Sequence, residues 1–211
     1  MGRRRKPPTT EQLAAAAEAD EFLQRYLAAA PASLDRLRQW SATTGGPRPD
    51  DLDLGRDSLV PLLEWAIGQF RLRPEDEALD FIDKGDLGRY YQPRGGTQPV
   101  WYGRTGLHAP HWWDDDTLAL IDGLTHYFAG AVIHAVPGAR WEVGHHRELK
   151  RWVHENQPVI SGAGEPFEPV QGMFAVASRV YRNVDPDRPN PNGVRPATGL
   201  ELLEWYDAVV G

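Results

Sequence analysis

The chain has 211 residues, a formal net charge of −7 and no cysteine. Its length fits one large domain. The missing cysteine excludes disulfides and thiolate metal sites, and the acidic balance argues against nucleic acid as the main ligand.

The distribution of apolar residues along the chain bears on where the protein is located. No apolar stretch reaches the ~20 residues that cross a bilayer, and the alanine-rich segment after the basic start is interrupted by carboxylates, unlike a secretory signal. We therefore expect a cytoplasmic protein without a membrane span.

The N-terminal part is predicted to be helical over residues 10–84, behind a basic, disordered tail of residues 1–9. Alanine-rich sequence favours a first helix over 10–30, which Pro31 is expected to end. Two similar segments follow, each with a serine that can cap a short helix carrying two leucines and a tryptophan. Their serines are Ser33 and Ser58.

Residues 85–113 are predicted to form an irregular loop rich in glycine and proline, with one strand candidate at residues 100–102. A loop this long in a compact domain often has a function. Tryptophan and tyrosine supply large, stiff contact areas to interfaces. Four aromatic residues of this loop are therefore predicted to be exposed anchors for a partner: Trp101, Tyr102, Trp112 and Trp113.

Residues 114–143 form the most regular unit of the sequence. Apolar residues three or four apart predict one wide helical face, and carboxylates at the start suit the helix N-terminus. The apolar positions are Leu118, Ile121, Leu124, Phe128 and Val132. Pro137 and Gly138 are expected to end this helix, and a strand is predicted over 139–143.

The remainder of the chain alternates between strand and helix patterns. A strand is predicted at 158–160, an amphipathic helix from Pro169, a surface loop over 183–198 and a last helix capped by Thr198. The sequence thus predicts one α+β domain over 10–211. Its first part is the N-terminal helical region. Its last part, residues 114–211, is expected to contain the central amphipathic helix and a small antiparallel sheet packed on that helix.

The candidate metal ligands are His108, His111, Asp114 and Asp116, since imidazole and carboxylate bind divalent ions. Their spacing matches no standard metal site, so helix capping by the aspartates and packing of an aromatic loop are the favoured interpretation. We expect no metal and no cofactor. The sequence also lacks a Gly-x-Ser-x-Gly elbow and a phosphate-binding loop.

Residues 123–182 resemble a group of uncharacterised actinobacterial α+β domains, some of them similar to immunity proteins of polymorphic toxin systems. The shared features are the helix from Gly123 to His134, Pro-Gly-Ala-Arg-Trp-Glu-Val at 137–143, Asn-Gln-Pro-Val-Ile at 156–160 and a helix started by proline. Ala131 stands where that pattern often has glutamate. The resemblance implies an α+β fold and no particular reaction.

The function predicted from these features is a non-enzymatic protein-binding domain, in its specific form an immunity-like inhibitor of a basic partner. An acidic surface speeds association with a basic protein. One alternative is an enzyme or a small-ligand or metal-binding protein that uses residues 85–116. A second alternative is a structural component of an assembly.

Overall fold

The computed structural model describes residues 9–74, 81–83, 89–91, 98–102, 112–145, 154–184 and 195–211. These residues form an α+β fold, as the sequence predicts. Its helices are α1 (Thr10–Thr43), α2 (Leu59–Gln69), α3 (Asp115–Ala135), α4 (Pro169–Val184) and α5 (Leu200–Val210), with 3-10 turns at Pro49–Asp51 and Arg56–Ser58. Its strands are β1 (Phe81–Asp83), β2 (Arg89–Tyr91), β3 (Arg140–Val143) and β4 (Pro158–Ser161).

Helix α1 is longer than predicted, because it continues through Pro31 to Thr43. Its start is fixed by a capping box in which Thr9 and Gln12 bond each other's backbone N–H groups. Proline removes one backbone hydrogen bond from a helix interior. Packing against α3 compensates: Leu37 fits beside Gly123, where an added Cβ would lie 3.0 Å from the Leu37 Cβ. The expected helix break at Pro31 is therefore wrong.

Helix α3 is the centre of the fold and packs against α1, α2, α4 and α5. Asp114 caps it, accepting a hydrogen bond of 2.7 Å from the Thr117 N–H, as predicted. The helix is long and apolar enough to cross a membrane, but 78% of that stretch is buried inside the protein. Core packing accounts for this apolarity, and the absence of a membrane span stays a prediction.

Tyr127 of α3 links the central helix to the loop before α2. Its hydroxyl accepts a hydrogen bond of 3.0 Å from the Leu54 N–H and lies 2.6 Å from the Ser58 hydroxyl. Leu54 has a φ of +62°, a left-handed conformation that leucine rarely adopts. The phenol thus helps to hold a strained turn against the core.

We expect Tyr127→Phe to lower the free energy of unfolding by about 1–2 kcal/mol, because one buried and one partly buried hydrogen bond lose their partner. Tyr26→Phe is the matched control. Among the described residues, the fully buried Tyr26 hydroxyl has no hydrogen-bond partner, so its removal should cost nothing. Urea unfolding of both variants measures the difference, and equal losses would contradict the assignment.

The described strands form two separate antiparallel pairs, β1 with β2 and β3 with β4. In the second pair Arg140 lies opposite Ser161, and Val143 lies opposite Pro158. The predicted strands at 139–143 and 158–160 are thus confirmed. Residues 100–102 instead form a turn, in which the Tyr102 N–H donates to the Pro99 carbonyl at 2.9 Å. The predicted strand there is wrong.

After β4 the chain turns and pairs briefly with the same strand, since Phe167 exchanges backbone hydrogen bonds with Ile160. The turn needs glycine at position 162. Its φ is +83°, and a Cβ there would lie 2.3 Å from the Gly138 carbonyl oxygen. After this turn, residues 167–169 lead the chain into α4.

Candidate functional site

The predicted partner-binding aromatics lie mostly inside the protein. Trp101 is 0% exposed, Tyr102 4% and Trp113 0%. Trp112 is half-buried, and its ring stacks on Tyr181 with 4.8 Å between the centroids. The expectation of exposed anchors is therefore wrong for Trp101, Tyr102 and Trp113. A role of these aromatics in partner binding stays a prediction.

The candidate metal ligands are only partly placed. Asp114 caps α3, and the exposed Asp116 borders a polar groove of about 330 Å³ together with Arg36, Gln39, Trp40 and Thr43. His108 and His111 lie outside the described residues. Within the described part of the chain, no three histidine or carboxylate side chains come together in a metal-binding group.

A buried polar network joins α1, α3 and the 98–102 segment. The Asp122 carboxylate accepts hydrogen bonds from the Ser33 hydroxyl at 2.5 Å and from the Trp101 Nε1–H at 2.8 Å. His126 Nε2 lies 3.6 Å from an Asp122 oxygen, and the His126 ring packs on Tyr26 with centroids 4.4 Å apart. The sequence offered no signal that these residues meet.

Burial favours the neutral forms of His126 and Tyr26 in this network. Burial lowers the pKa of the His126 imidazole, against the opposing attraction of Asp122. Burial also raises the pKa of the Tyr26 phenol, and the charges of Asp122 and Glu168 raise it further. Since Asp122, His126 and Tyr26 are all buried, we interpret the network as structural.

A cavity of about 420 Å³ opens between the chain after β4, the first turn of α4 and the last turns of α5. We call it the Glu168 pocket. Aromatic and aliphatic side chains form its walls, and three polar residues line it. The wall residues used below are Phe128, Phe167, Trp205 and Ala208, and the polar residues are His154, Glu168 and Gln171.

Glu168 is the buried acid of this pocket, with a side chain only 1% exposed. Its backbone carbonyl accepts from the Gly172 N–H at 3.3 Å, so it directly precedes the first turn of α4. There the helix dipole favours a negative charge. Pro169 at the first helical position, as predicted, fixes this geometry.

His154 reaches the same carboxylate from the turn before β4. Its Nδ1 lies 2.9 Å from Glu168 Oε2, and its side chain is 24% exposed. When Glu168 is ionised, its carboxylate only accepts hydrogen bonds and the His154 Nδ1–H donates. Asn156 shapes the turn with a φ of +61°, which asparagine tolerates better than most residues.

Three aromatic rings stand at the apolar side of the pocket. The centroid of Phe128 lies 6.1 Å from that of Phe167 and 6.2 Å from that of Trp205, with ring planes crossed at 63° and 73°. Trp205 comes close to α4 because Gly172 has no side chain: a Cβ there would lie 2.9 Å from the indole. The pocket thus combines crossed rings with one buried acid.

Sequence reasoning missed this pocket. The Glu-Pro pair at a helix start could have suggested a capping acid, but nothing marked His154 or Trp205 as its neighbours. The described geometry has the size and composition of small-molecule sites, which are typically 300–1,000 Å³ and mainly apolar with a few placed polar groups.

Comparison with known proteins adds no relative to this description. A scan against protein-family models gives no match, and neither a search of curated proteins nor one of solved structures finds a similar chain.

Proposed function

We propose that this protein binds a small, largely apolar molecule in the Glu168 pocket. The main evidence is the cavity itself, which has a volume of about 420 Å³, aromatic walls and a buried carboxylate paired with an imidazole. Burying apolar ligand surface there contributes about 25 cal/mol per Å². The acid and the imidazole orient the ligand. This proposal keeps the small-ligand alternative of the sequence but moves it away from residues 85–116.

Filling the pocket should abolish binding. Ala208 lines the cavity from an exposed position on α5, so Ala208→Trp can block it at little expense of stability. Ala175→Trp is the matched control, an exposed alanine on α4 that does not line the pocket. We expect the neutral fluorescent probe N-phenyl-1-naphthylamine to bind one-to-one to the wild type and to Ala175→Trp.

The probe should bind at least about tenfold more weakly to Ala208→Trp, because the indole occupies the space of the ligand. A fluorescence titration measures this, with melting curves to check that both variants fold. Equal affinity in the two variants, or no binding to the wild type, would contradict the proposal.

A second candidate function is the protein-binding role, which the surface charge favours. The chain contains 30 aspartates and glutamates against 23 arginines and lysines, a formal net charge of −7. In α1 the four acidic side chains before Arg25 are all exposed: Glu11, Glu18, Asp20 and Glu21. Such a surface attracts a basic protein partner, as an immunity-like inhibitor would require.

Its test is association with the products of neighbouring genes. The triple variant Glu18→Gln, Asp20→Asn and Glu21→Gln should slow association with a basic product and flatten its dependence on salt. An unchanged association rate, or a partner whose binding does not respond to salt, would contradict an electrostatic interface on this face.

A further inference from the structure

We infer that Gln171 selects the ligand of the Glu168 pocket, and that this ligand is an uncharged, mainly apolar molecule with a carboxamide-type group. Such a group both donates and accepts hydrogen bonds, as the glutamine side chain does. This inference rests on the proposed ligand-binding function and specifies the chemistry of that same site. Its evidence is the engaged charges, the glutamine amide and the apolar wall within one cavity.

The ionisable groups of the pocket are already engaged. His154 Nδ1 lies 2.9 Å from Glu168 Oε2, and Glu168 makes further interactions besides this one. A cationic ligand group would therefore compete with existing partners for the carboxylate. An anionic group would find neither arginine nor lysine among the described lining residues. Because burying an ionised group without a partner is costly, the pocket favours a neutral ligand.

Gln171 is the third polar residue of the described lining. It is half-buried in the first turn of α4, three residues after Glu168, so both side chains lie at the same polar end of the cavity. A glutamine at this position of a helix can fold back and accept from the backbone at the helix start. Gln171 forms no hydrogen bond to any described residue. Its oxygen and its two N–H donors are therefore available to a ligand.

The apolar part of the cavity lies along α5. Phe128 packs edge to face on both Phe167 and Trp205, with ring centroids 6.1 Å and 6.2 Å apart, so the three rings form one closed wall. Ala208 lines the cavity beyond this wall. The ligand body is therefore placed against the outer side of the wall, between α4 and α5, with its polar group at Gln171.

The experiment compares four compounds with the same phenyl group by isothermal titration calorimetry at pH 8: 4-phenylbutanamide, 5-phenylpentan-2-one, 4-phenylbutylamine and 4-phenylbutanoate. The ketone has the shape of the amide but cannot donate a hydrogen bond. At this pH an ordinary amine is protonated and an ordinary carboxylic acid is ionised. We expect the amide to bind at least about tenfold more tightly than either charged compound.

Gln171→Leu should lower the ratio of amide affinity to ketone affinity at least about fivefold, because the bonds to the amide are lost while the apolar contacts remain. Gln69→Leu is the matched control, at a half-buried glutamine of α2 that does not line the pocket, and should leave the ratio unchanged. Leucine has nearly the size and helix propensity of glutamine, so both variants should fold. Melting curves check this, and Gln171→Met replaces a leucine variant that does not fold.

The outcomes separate the two proposals. If the ketone and the neutral probe bind but a charged compound binds most tightly, or if Gln171→Leu keeps the wild-type ratio of amide to ketone affinity, the carboxamide inference is wrong and the ligand-binding function stands. If neither the four compounds nor the probe binds, both proposals fail.

Discussion

Replacement of Trp101 by alanine is expected to lower the free energy of unfolding by about 3–5 kcal/mol. The indole is fully buried and packs edge to face on Phe174, with 5.1 Å between the ring centroids. Its Nε1–H also donates to Asp122. The variant therefore leaves a large cavity and removes a buried hydrogen bond. Urea unfolding followed by circular dichroism measures the change.

Two further variants separate the contribution of the buried hydrogen bond from that of the indole packing. Trp101→Phe keeps most of the apolar contact and should lose about 1–3 kcal/mol, the amount typical of a buried carboxylate left with one donor fewer. Trp112→Ala, at the half-buried neighbouring tryptophan, should lose less than Trp101→Ala. A stability change below about 0.5 kcal/mol in Trp101→Ala would contradict burial and restore the exposed-anchor prediction.

Replacement of Asp122 by alanine is expected to lower the free energy of unfolding by about 2–5 kcal/mol, because the Ser33 hydroxyl and the Trp101 indole N–H lose their acceptor. Alanine has a higher helix propensity than aspartate, so helix propensity alone would make this substitution stabilising. Asp122→Asn should cost less, since an amide oxygen can still accept from the indole and its NH₂ group can donate to the hydroxyl.

Asp116→Ala is the control on the same helix, where the exposed carboxylate contributes only about 0.3–1 kcal/mol at the helix N-terminus. A double-mutant cycle of Asp122→Ala with Trp101→Phe should give a coupling energy above about 0.5 kcal/mol. Additive losses, or equal losses in Asp122→Ala and Asp116→Ala, would contradict the role of this network in joining the 98–102 segment to α3.

The buried network and the Glu168 pocket are neighbouring features with different tasks. The charge of Glu168 acts on the Tyr26 phenol, which packs on His126 inside the network. Variants of Asp122 should mainly lower the free energy of unfolding, whereas Ala208→Trp and Gln171→Leu should mainly weaken ligand binding. Measuring both properties for each variant keeps the structural role and the ligand-binding role apart.

The sequence by itself determined the elements whose signal is local. Helix α3 follows from apolar residues three or four apart behind a capping aspartate, and α4 follows from a proline at the first helical position. Strands β3 and β4 lie where short apolar stretches are bounded by turn residues. Periodicity and capping depend on neighbours along the chain, so they can be recognised without the fold.

Only the tertiary structure decided the features that depend on distant residues. Helix α1 continues through Pro31 because it packs on α3 on both sides of the proline, with Tyr26 against His126 before it and Leu37 against Gly123 after it. The aromatic loop residue Trp101 is buried because its indole N–H finds an acceptor on α3, 21 residues later.

The Glu168 pocket is the clearest case. His154 and Glu168 are 14 residues apart and meet because β4 and the returning chain place both at one end of α4. Phe128 and Trp205 come from two further helices. Such a site is assembled by packing between segments, and no local pattern of residue types records which segments will pack together.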